Sequence, residues 1–222
     1  VFCNLFFYLM QIEKGFWKNK KVLLTGHTGF KGSWLTILLS HLEAHVLGFS
    51  LPAEKKSLFN KTKILSLIEH EIGDIRNLDH LIKVEKNFSP DILIHMAAQP
   101  LVIRSYEDPI ETFSTNVMGT VNVLEVIRQS KTITSGVIIT SDKCYENKNL
   151  KRGFKETDPM GGYDPYSSSK GSAELIISSY QRSFFSKSNN TRRPVIAPVR
   201  AGNVLGGGDY AKNRLIPDLV RS

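Results

Sequence analysis

Short apolar runs alternate with amphipathic stretches along nearly the whole chain. Residues 20–25 (KKVLLT), 44–49, 92–96, 136–140 and 195–199 are short, mainly apolar runs, and 71–75 reads as a further short strand. Mainly apolar runs of this length are expected of parallel strands buried on both faces. Between them, residues 33–42, 63–70, 78–86 and 116–127 repeat apolar positions at helical spacing, the last within a longer pattern with Pro109 near its start. A further helix is expected from Tyr166 to about Phe185, and 214–220 reads as the start of another. Strand and helix in regular alternation predict an α/β protein with a doubly wound parallel sheet. Residues 186–191 form a short polar loop, and no internal repeat or low-complexity segment interrupts the pattern.

In such a sheet, ligands sit at the carboxyl ends of the strands, so the residues just after each strand carry the chemistry. The first strand runs into Gly26-His-Thr-Gly29-Phe-Lys-Gly32 and then a helix. Here Gly26 makes a tight turn, Gly29 lets backbone approach a pyrophosphate, and Gly32 lets helix and strand pack closely. Exposed N–H groups and the helix dipole then hold the phosphates. The second strand ends in Ser50-Leu51-Pro52, with no acidic residue to hold an adenosine ribose. Ser50 offers a weaker hydrogen bond, and Lys55 or Lys56 can meet a 2′-phosphate, so this position does not choose between NAD and NADP. The third ends in Gly73-Asp74-Ile75, where Asp74 either accepts from an adenine amino group or caps the next helix. The fourth ends in Ala97-Ala98-Gln99, small enough to admit a flat cofactor. Thr115 and Asn116 follow inside a helix, where Asn116 reads as structural.

The fifth strand delivers Ser141, Asp142 and Lys143, and 25 residues beyond Ser141 come Tyr166 and Lys170 at the head of a helix. A four-residue offset puts two helical side chains on one face. An ammonium beside the phenol is expected to lower the Tyr pKa from about 10 towards neutrality. A shift of several units needs a second positive charge, such as a cofactor's. The sixth strand ends in Arg200-Ala-Gly-Asn203 and a glycine-rich loop.

Composition narrows the classes without naming a function. The 222 residues are 41% hydrophobic and 23% charged, as in soluble globular chains. The net charge of +8 comes from scattered residues with only short clusters such as 18–21, so no nucleic-acid partner is expected. A basic surface that favours anionic small molecules fits better. Cys3 and Cys144 are too few and too far apart for a disulfide framework or a metal site, and a reducing, cytoplasmic setting is the default. The apolar opening VFCNLFFYLM is too short to span a bilayer and lacks a leading basic residue, so no membrane role is expected. Residues 1–9 are expected to lie upstream of the natural start, within an N-terminal extension covering 1–15.

Taken together, TGHTGFKG, the Ala97-Ala98 pair, Asn116, Tyr166-x-x-x-Lys170 and the loop from Arg200 to Asn203 resemble the extended short-chain dehydrogenase/reductase family. Within it, they resemble the nucleotide-sugar 4,6-dehydratases. The resemblance covers residues 16–222. Most such dehydratases carry Thr-Asp-Glu after the fifth strand; Ser141-Asp142-Lys143, with the SDKCYEN and ETDPMGGYDPYSSSKG wording, is similar to the members that act on CDP-glucose. The resemblance implies a Rossmann fold, bound NAD, CDP-glucose as substrate, and a product used for 3,6-dideoxyhexoses of bacterial surface polysaccharide. It implies catalytic roles for Ser141, Asp142, Lys143, Tyr166 and Lys170. Tyr166 takes the C4 hydroxyl proton, Lys170 holds the ribose, Ser141 binds the C4 oxygen, and Asp142 protonates the leaving C6 hydroxyl. Lys143 stands where relatives have the Glu that acts as C5 base; it is either the base itself or an electrostatic partner of the enolate. Cofactor contacts are implied for Gly26, Thr28, Gly29, Phe30, Gly32, Asp74, Ile75, Ala97, Ala98, Gln99, Thr115, Tyr166 and Lys170. Substrate contacts are implied for Gln99, Leu101, Arg104, Asn203, Arg214 and Leu215, with Arg104 open to a second reading as a solvated helix-entry charge.

Residues 16–222 are expected to be an NAD-binding domain with the first part of a substrate-binding region, the smaller C-terminal substrate domain being largely absent. The family also implies a homodimer formed through the helices beginning near Ile110 and Tyr166. Two rival readings stand beside the CDP-glucose dehydratase: a related nucleotide-sugar dehydratase or epimerase, and a truncated, non-catalytic NAD-binding remnant.

Overall fold

In the computed structural model, the described residues are 13–148, 151–186 and 193–222. Most of the expected N-terminal extension, and residues 187–191 of the polar loop, lie outside them. The elements in chain order begin with α1 (Lys14–Trp17), β1 (Lys21–Thr25), α2 (Phe30–His41), β2 (His45–Ser50), α3 (Leu58–Lys61) and β3 (Glu69–Ile72). There follow α4 (Leu78–Phe88), β4 (Ile92–His95), α5 (Val102–Glu107), α6 (Pro109–Phe113), α7 (Gly119–Gln129) and β5 (Ser135–Ile139). The last are α8 (Pro165–Tyr180), β6 (Val195–Val199) and α9 (Leu215–Arg221). The six strands form one sheet in the order β3-β2-β1-β4-β5-β6, every neighbouring pair parallel. This is the doubly wound fold the alternation predicts.

Alternation along the buried strands builds a core on each face. Val22 and Leu24 of β1, with Ile92 and Ile94 of β4, pack against Leu39 of α2. Leu23 and Leu93, pointing the other way, join Leu81 and Val84 of α4, Val123 and Ile127 of α7, and Ile177 of α8. Among the described residues, no helix is long and apolar enough to cross a membrane.

Two elements differ from their expected form. The helix expected over 63–70 shrinks to a 3₁₀ turn over Ile64–Ser66, and a single α-helical turn, α3, lies just before it and buries Leu58 and Phe59. Lys63 then takes a left-handed backbone (φ 52°), which breaks the helix and lets β3 start at Glu69, earlier than 71. The long pattern around Pro109 is three pieces: α5, α6 and α7 are separated by Asp108, which caps α6 by accepting from Glu111 N, and by a wider π turn over Ser114–Met118. That turn carries Thr115 and Asn116, which explains why two polar residues sit there.

The sheet order reverses between β1 and β4, and the crevice at that switch point opens at the carboxyl ends of both strands.

Candidate active site

The glycine turn is shaped by close backbone approach. Gly26 has φ +78°, and a Cβ there would meet Ala97 N at 2.6 Å, so the turn after β1 touches the turn after β4. A Cβ on Gly32 would lie 2.1 Å from Gly26 O. Both glycines are required by the chain's own packing. Gly29 is different: its φ is −75° and a Cβ would meet only Gly26 O, at 3.4 Å, an ordinary contact. Nothing inside the protein demands a glycine at 29. The open side above it faces a cleft of about 400 Å³.

All of the expected cofactor residues line that cleft: Gly26, Thr28, Gly29, Phe30, Gly32, Asp74, Ile75, Ala97, Ala98, Gln99, Thr115, Tyr166 and Lys170. Thr28 and Ser50 share a 2.7 Å hydrogen bond at the end of β2. Asp74 is engaged rather than waiting: Arg76 Nε donates to Oδ2 at 2.9 Å, and this pairing holds the carboxyl below its ordinary range. Asn116 is structural, as read. Its Oδ1 accepts from Gln99 N at 2.8 Å, and its Nδ2 donates to Gln99 O and Ser169 Oγ. The Gln99 amide is likewise occupied, donating to Leu101 O and Thr112 Oγ1 and accepting from Leu101 N.

Tyr166 and Lys170 enter the cleft from the first turns of α8. Asp164 caps that helix by accepting from Ser167 N at 2.9 Å, and Pro165 sets its first position. Lys170 is only 6% exposed; burial first, then the Lys31 charge, pulls its ammonium down to about 8. The expectation for Tyr166 is corrected. Burial pushes the phenol above its ordinary value, Ser141 offsets this by hydrogen bonding, and Arg214 is the cation that favours the phenolate. Burial therefore outweighs the neighbouring charges in the protein alone.

Ser141, Asp142 and Lys143 follow β5 in a tight 3₁₀ turn. Ser141 Oγ accepts from Lys143 N at 3.2 Å and lies 3.2 Å from Asp142 Oδ1, while Asp142 N donates to Ala201 O at 3.0 Å. Ser141 and Asp142 act on the Tyr166 phenol and so share its site, whereas Lys143 is exposed. A buried network that sequence reading missed fixes this turn against α8. Glu174, one turn beyond Lys170, receives Arg200 Nη2 at 2.8 Å and Nε at 3.0 Å, and Thr140 Oγ1 donates to it as well. Arg200 Nη1 also reaches Tyr145 Oη at 2.6 Å, and Tyr145 stacks on Phe154. An acidic residue eight positions after Tyr166 was the available signal, but only the fold brings Arg200 to it.

The substrate set divides. Gln99, Leu101 and Arg214 line the cleft, with Arg214 bound to Asp209 at 2.9 Å. Arg104, Asn203 and Leu215 do not; Arg104 is exposed and paired with Glu111 at 2.9 Å, which favours its reading as a solvated charge. The sequence also gave no hint that the loop after β6 folds back over α2. Trp34 Nε1 donates to Gly207 O at 2.9 Å, and Gly206 sits against the Phe30 ring. Lys31, not expected in the site, lines the cleft too.

Comparison with known proteins matches this arrangement. A curated CDP-glucose 4,6-dehydratase of Salmonella typhimurium is 54% identical over 213 residues, covering 95% of this chain and 59% of that protein. A CDP-paratose 2-epimerase of Salmonella typhi is 30% identical over 74% of this chain and 54% of its own length. Among solved structures, dTDP-glucose 4,6-dehydratase of Bacillus anthracis in complex with NAD superposes with TM-score 0.74 at 28% identity, over 91% of this chain and 60% of that one. The chain thus spans somewhat more than half the length of these relatives. The profile of the family described as GDP-mannose 4,6 dehydratase matches residues 23–193, from β1 to the approach to β6, and the chain belongs to that family.

Proposed function

We propose that the chain is the dinucleotide-binding part of an NAD-dependent CDP-glucose 4,6-dehydratase, with residues 1–15 an extension and 16–222 the working domain. The observation that carries this reading is the cleft in which Tyr166 and Lys170 face a glycine turn whose Gly29 is not demanded by the protein's own packing. A ligand backbone close above Gly29 accounts for that glycine, and a pyrophosphate suits the N–H groups at the start of α2. The 54% identity to a CDP-glucose 4,6-dehydratase supports the choice of nucleotide sugar.

NAD, held by the glycine turn and Lys170, would supply the hydride acceptor for oxidation at C4 and the hydride donor for reduction at C6. The protein's share is to move protons and hold geometry. Tyr166 takes the C4 hydroxyl proton as the alcohol becomes a ketone, with Ser141 donating to the C4 oxygen. Burial keeps the proton on Tyr166, so its work as a base would need a further positive charge, which a bound dinucleotide would bring. Lys170 holds the ribose. The ketone acidifies C5–H, and Asp142 gives its proton to the departing C6 oxygen while Lys143 either removes the C5 proton as the neutral amine or, as the ammonium, steadies the enolate as another base takes that proton.

Partner and setting follow the same reading. Ile110 on α6 is 81% exposed, with Phe113, Met118 and Leu175 of α8 exposed beside it, an apolar face suited to a second copy of the chain. The enzyme would work in the cytoplasm, where nucleotide sugars are made. The test is incubation with NAD and, separately, CDP-, UDP-, GDP- and dTDP-glucose, followed by detection of a 4-keto-6-deoxy sugar. Product from CDP-glucose is expected. Turnover of another nucleotide sugar would shift the substrate, NAD binding without any turnover would favour a non-catalytic remnant, and absence of NAD binding would overturn the reading.

A further inference from the structure

Lys31 sits between Phe30 and Gly32 in the first turn of α2 and lines the cleft together with Lys170, Tyr166 and Arg214. Its position is electrostatically poor. The start of a helix carries partial positive charge and favours Asp or Glu, yet the first turn of α2 holds no acidic residue. The loop after β6, pinned to α2 by Trp34 and packed on Phe30, brings Arg214 close enough to depress the Lys31 ammonium further, after burial.

Other cations of the cleft are answered. Arg214 pairs with Asp209, Arg76 pairs with Asp74, and Lys56 lies over the Tyr210 ring. Among the described residues, neither Lys31 nor Lys170 has a carboxylate within ion-pair distance. Lys170 is more than nine-tenths buried and lines the cleft, and the Glu174 carboxylate, beyond ion-pair distance, offsets its charge only in part. One ammonium without a carboxylate partner, a second partly offset, and an arginine around one crevice suit a ligand of at least two negative charges.

We propose that Lys31 is a diphosphate-binding residue of this cleft, its ammonium acting with Arg214 and the N–H groups of the glycine turn on a nucleotide's diphosphate. The inference rests on the reading of the cleft as a nucleotide site. Two nucleotides of that reading carry a diphosphate, the dinucleotide and the nucleotide sugar, and binding separates them.

The experiment is calorimetric titration of the parent chain and of Lys31→Met with NAD, CDP and the phosphate-free adenosine and cytidine, at low and high salt. Lys31→Met keeps the apolar stem and removes the charge. A charge-assisted hydrogen bond lost from a diphosphate weakens binding about tenfold or more. That loss, with a shallower salt dependence, is expected for NAD if Lys31 serves the dinucleotide and for CDP if it serves the nucleotide sugar. Lys31→Arg is expected to recover most of it. Unchanged affinity and salt dependence for both ligands would overturn the inference, as would an equal loss for the nucleosides, which would mark a packing defect. A parent chain that binds neither NAD nor CDP would instead overturn the reading of the cleft.

Discussion

The two halves of the site are held by different physics. On the β1 side, a seven-residue turn shapes its own surface: Gly26 and Gly32 let backbone meet backbone at distances no side chain permits. On the β5 side, Ser141 and Asp142 depend on residues from three stretches of the chain, joined through the Glu174–Arg200 ion pair and its bonds to Thr140 and Tyr145. One half is built by what is missing from the side chains, the other by a buried polar network. The first is therefore sensitive to added volume and the second to lost charge.

The largest effect is expected on the β5 side. Glu174 is 4% exposed, and Arg200→Met leaves its carboxylate buried with no countercharge and only the Thr140 hydroxyl bonded to it. Removing one member of a buried pair costs about 3–5 kcal/mol. Urea denaturation should show a loss of that size, whereas joint replacement by Arg200→Met and Glu174→Leu should recover much of it. A double variant no better than the single one would mean that the pair is not the tie between the turn and α8.

Acid should strike the β1 side next. His27, beneath the glycine turn, is fully buried with its Nε2 3.3 Å from His70 Nδ1, and burial followed by the His70 charge lowers it to about 4. His95, bonded to Thr25 at the end of β1, is lowered by burial to about 3. Both are depressed, so below pH 6.5 the unfolded chain binds protons that the folded chain refuses. Stability is then full above pH 6.5 and falls as pH drops towards 4, by on the order of 3 kcal/mol for His27 alone. Denaturant midpoints measured from pH 7 to 4 check this, and a flat profile would contradict it.

Within the turn, Gly32→Ala forces a methyl group against Gly26 O and should cost about 1–3 kcal/mol in thermal or urea unfolding. Gly29→Ala is the smallest change for the fold. With φ −75° and only a 3.4 Å contact to meet, its stability should stay within about 1 kcal/mol of the parent. Its NAD affinity should nevertheless drop sharply. Intact NAD binding in Gly29→Ala would remove the argument that a ligand, not the protein, requires this glycine.

The strand–helix alternation was legible because short apolar runs bounded by glycine and polar residues leave little choice of element. It failed over 58–70, where Lys63 takes a left-handed backbone that no periodicity announces. Tyr166, Lys170 and the glycines were legible as motifs because their spacing is local. Arg104 was open to two readings because a charge at a helix entry looks the same whether it faces a ligand or, as its side chain does here, Glu111.

What the sequence by itself determined is therefore what near neighbours decide: buried strands, helix faces, the glycine turn, and a Tyr and Lys one helical turn apart. Only the tertiary structure brought Arg200 to Glu174, laid the loop after β6 over α2, and set Lys31 beside Arg214 and Lys170. It also decided that Tyr166 holds its proton. A pKa reflects the balance of desolvation against every charge in reach, and burial that only packing creates outweighs the help of Ser141 and Arg214.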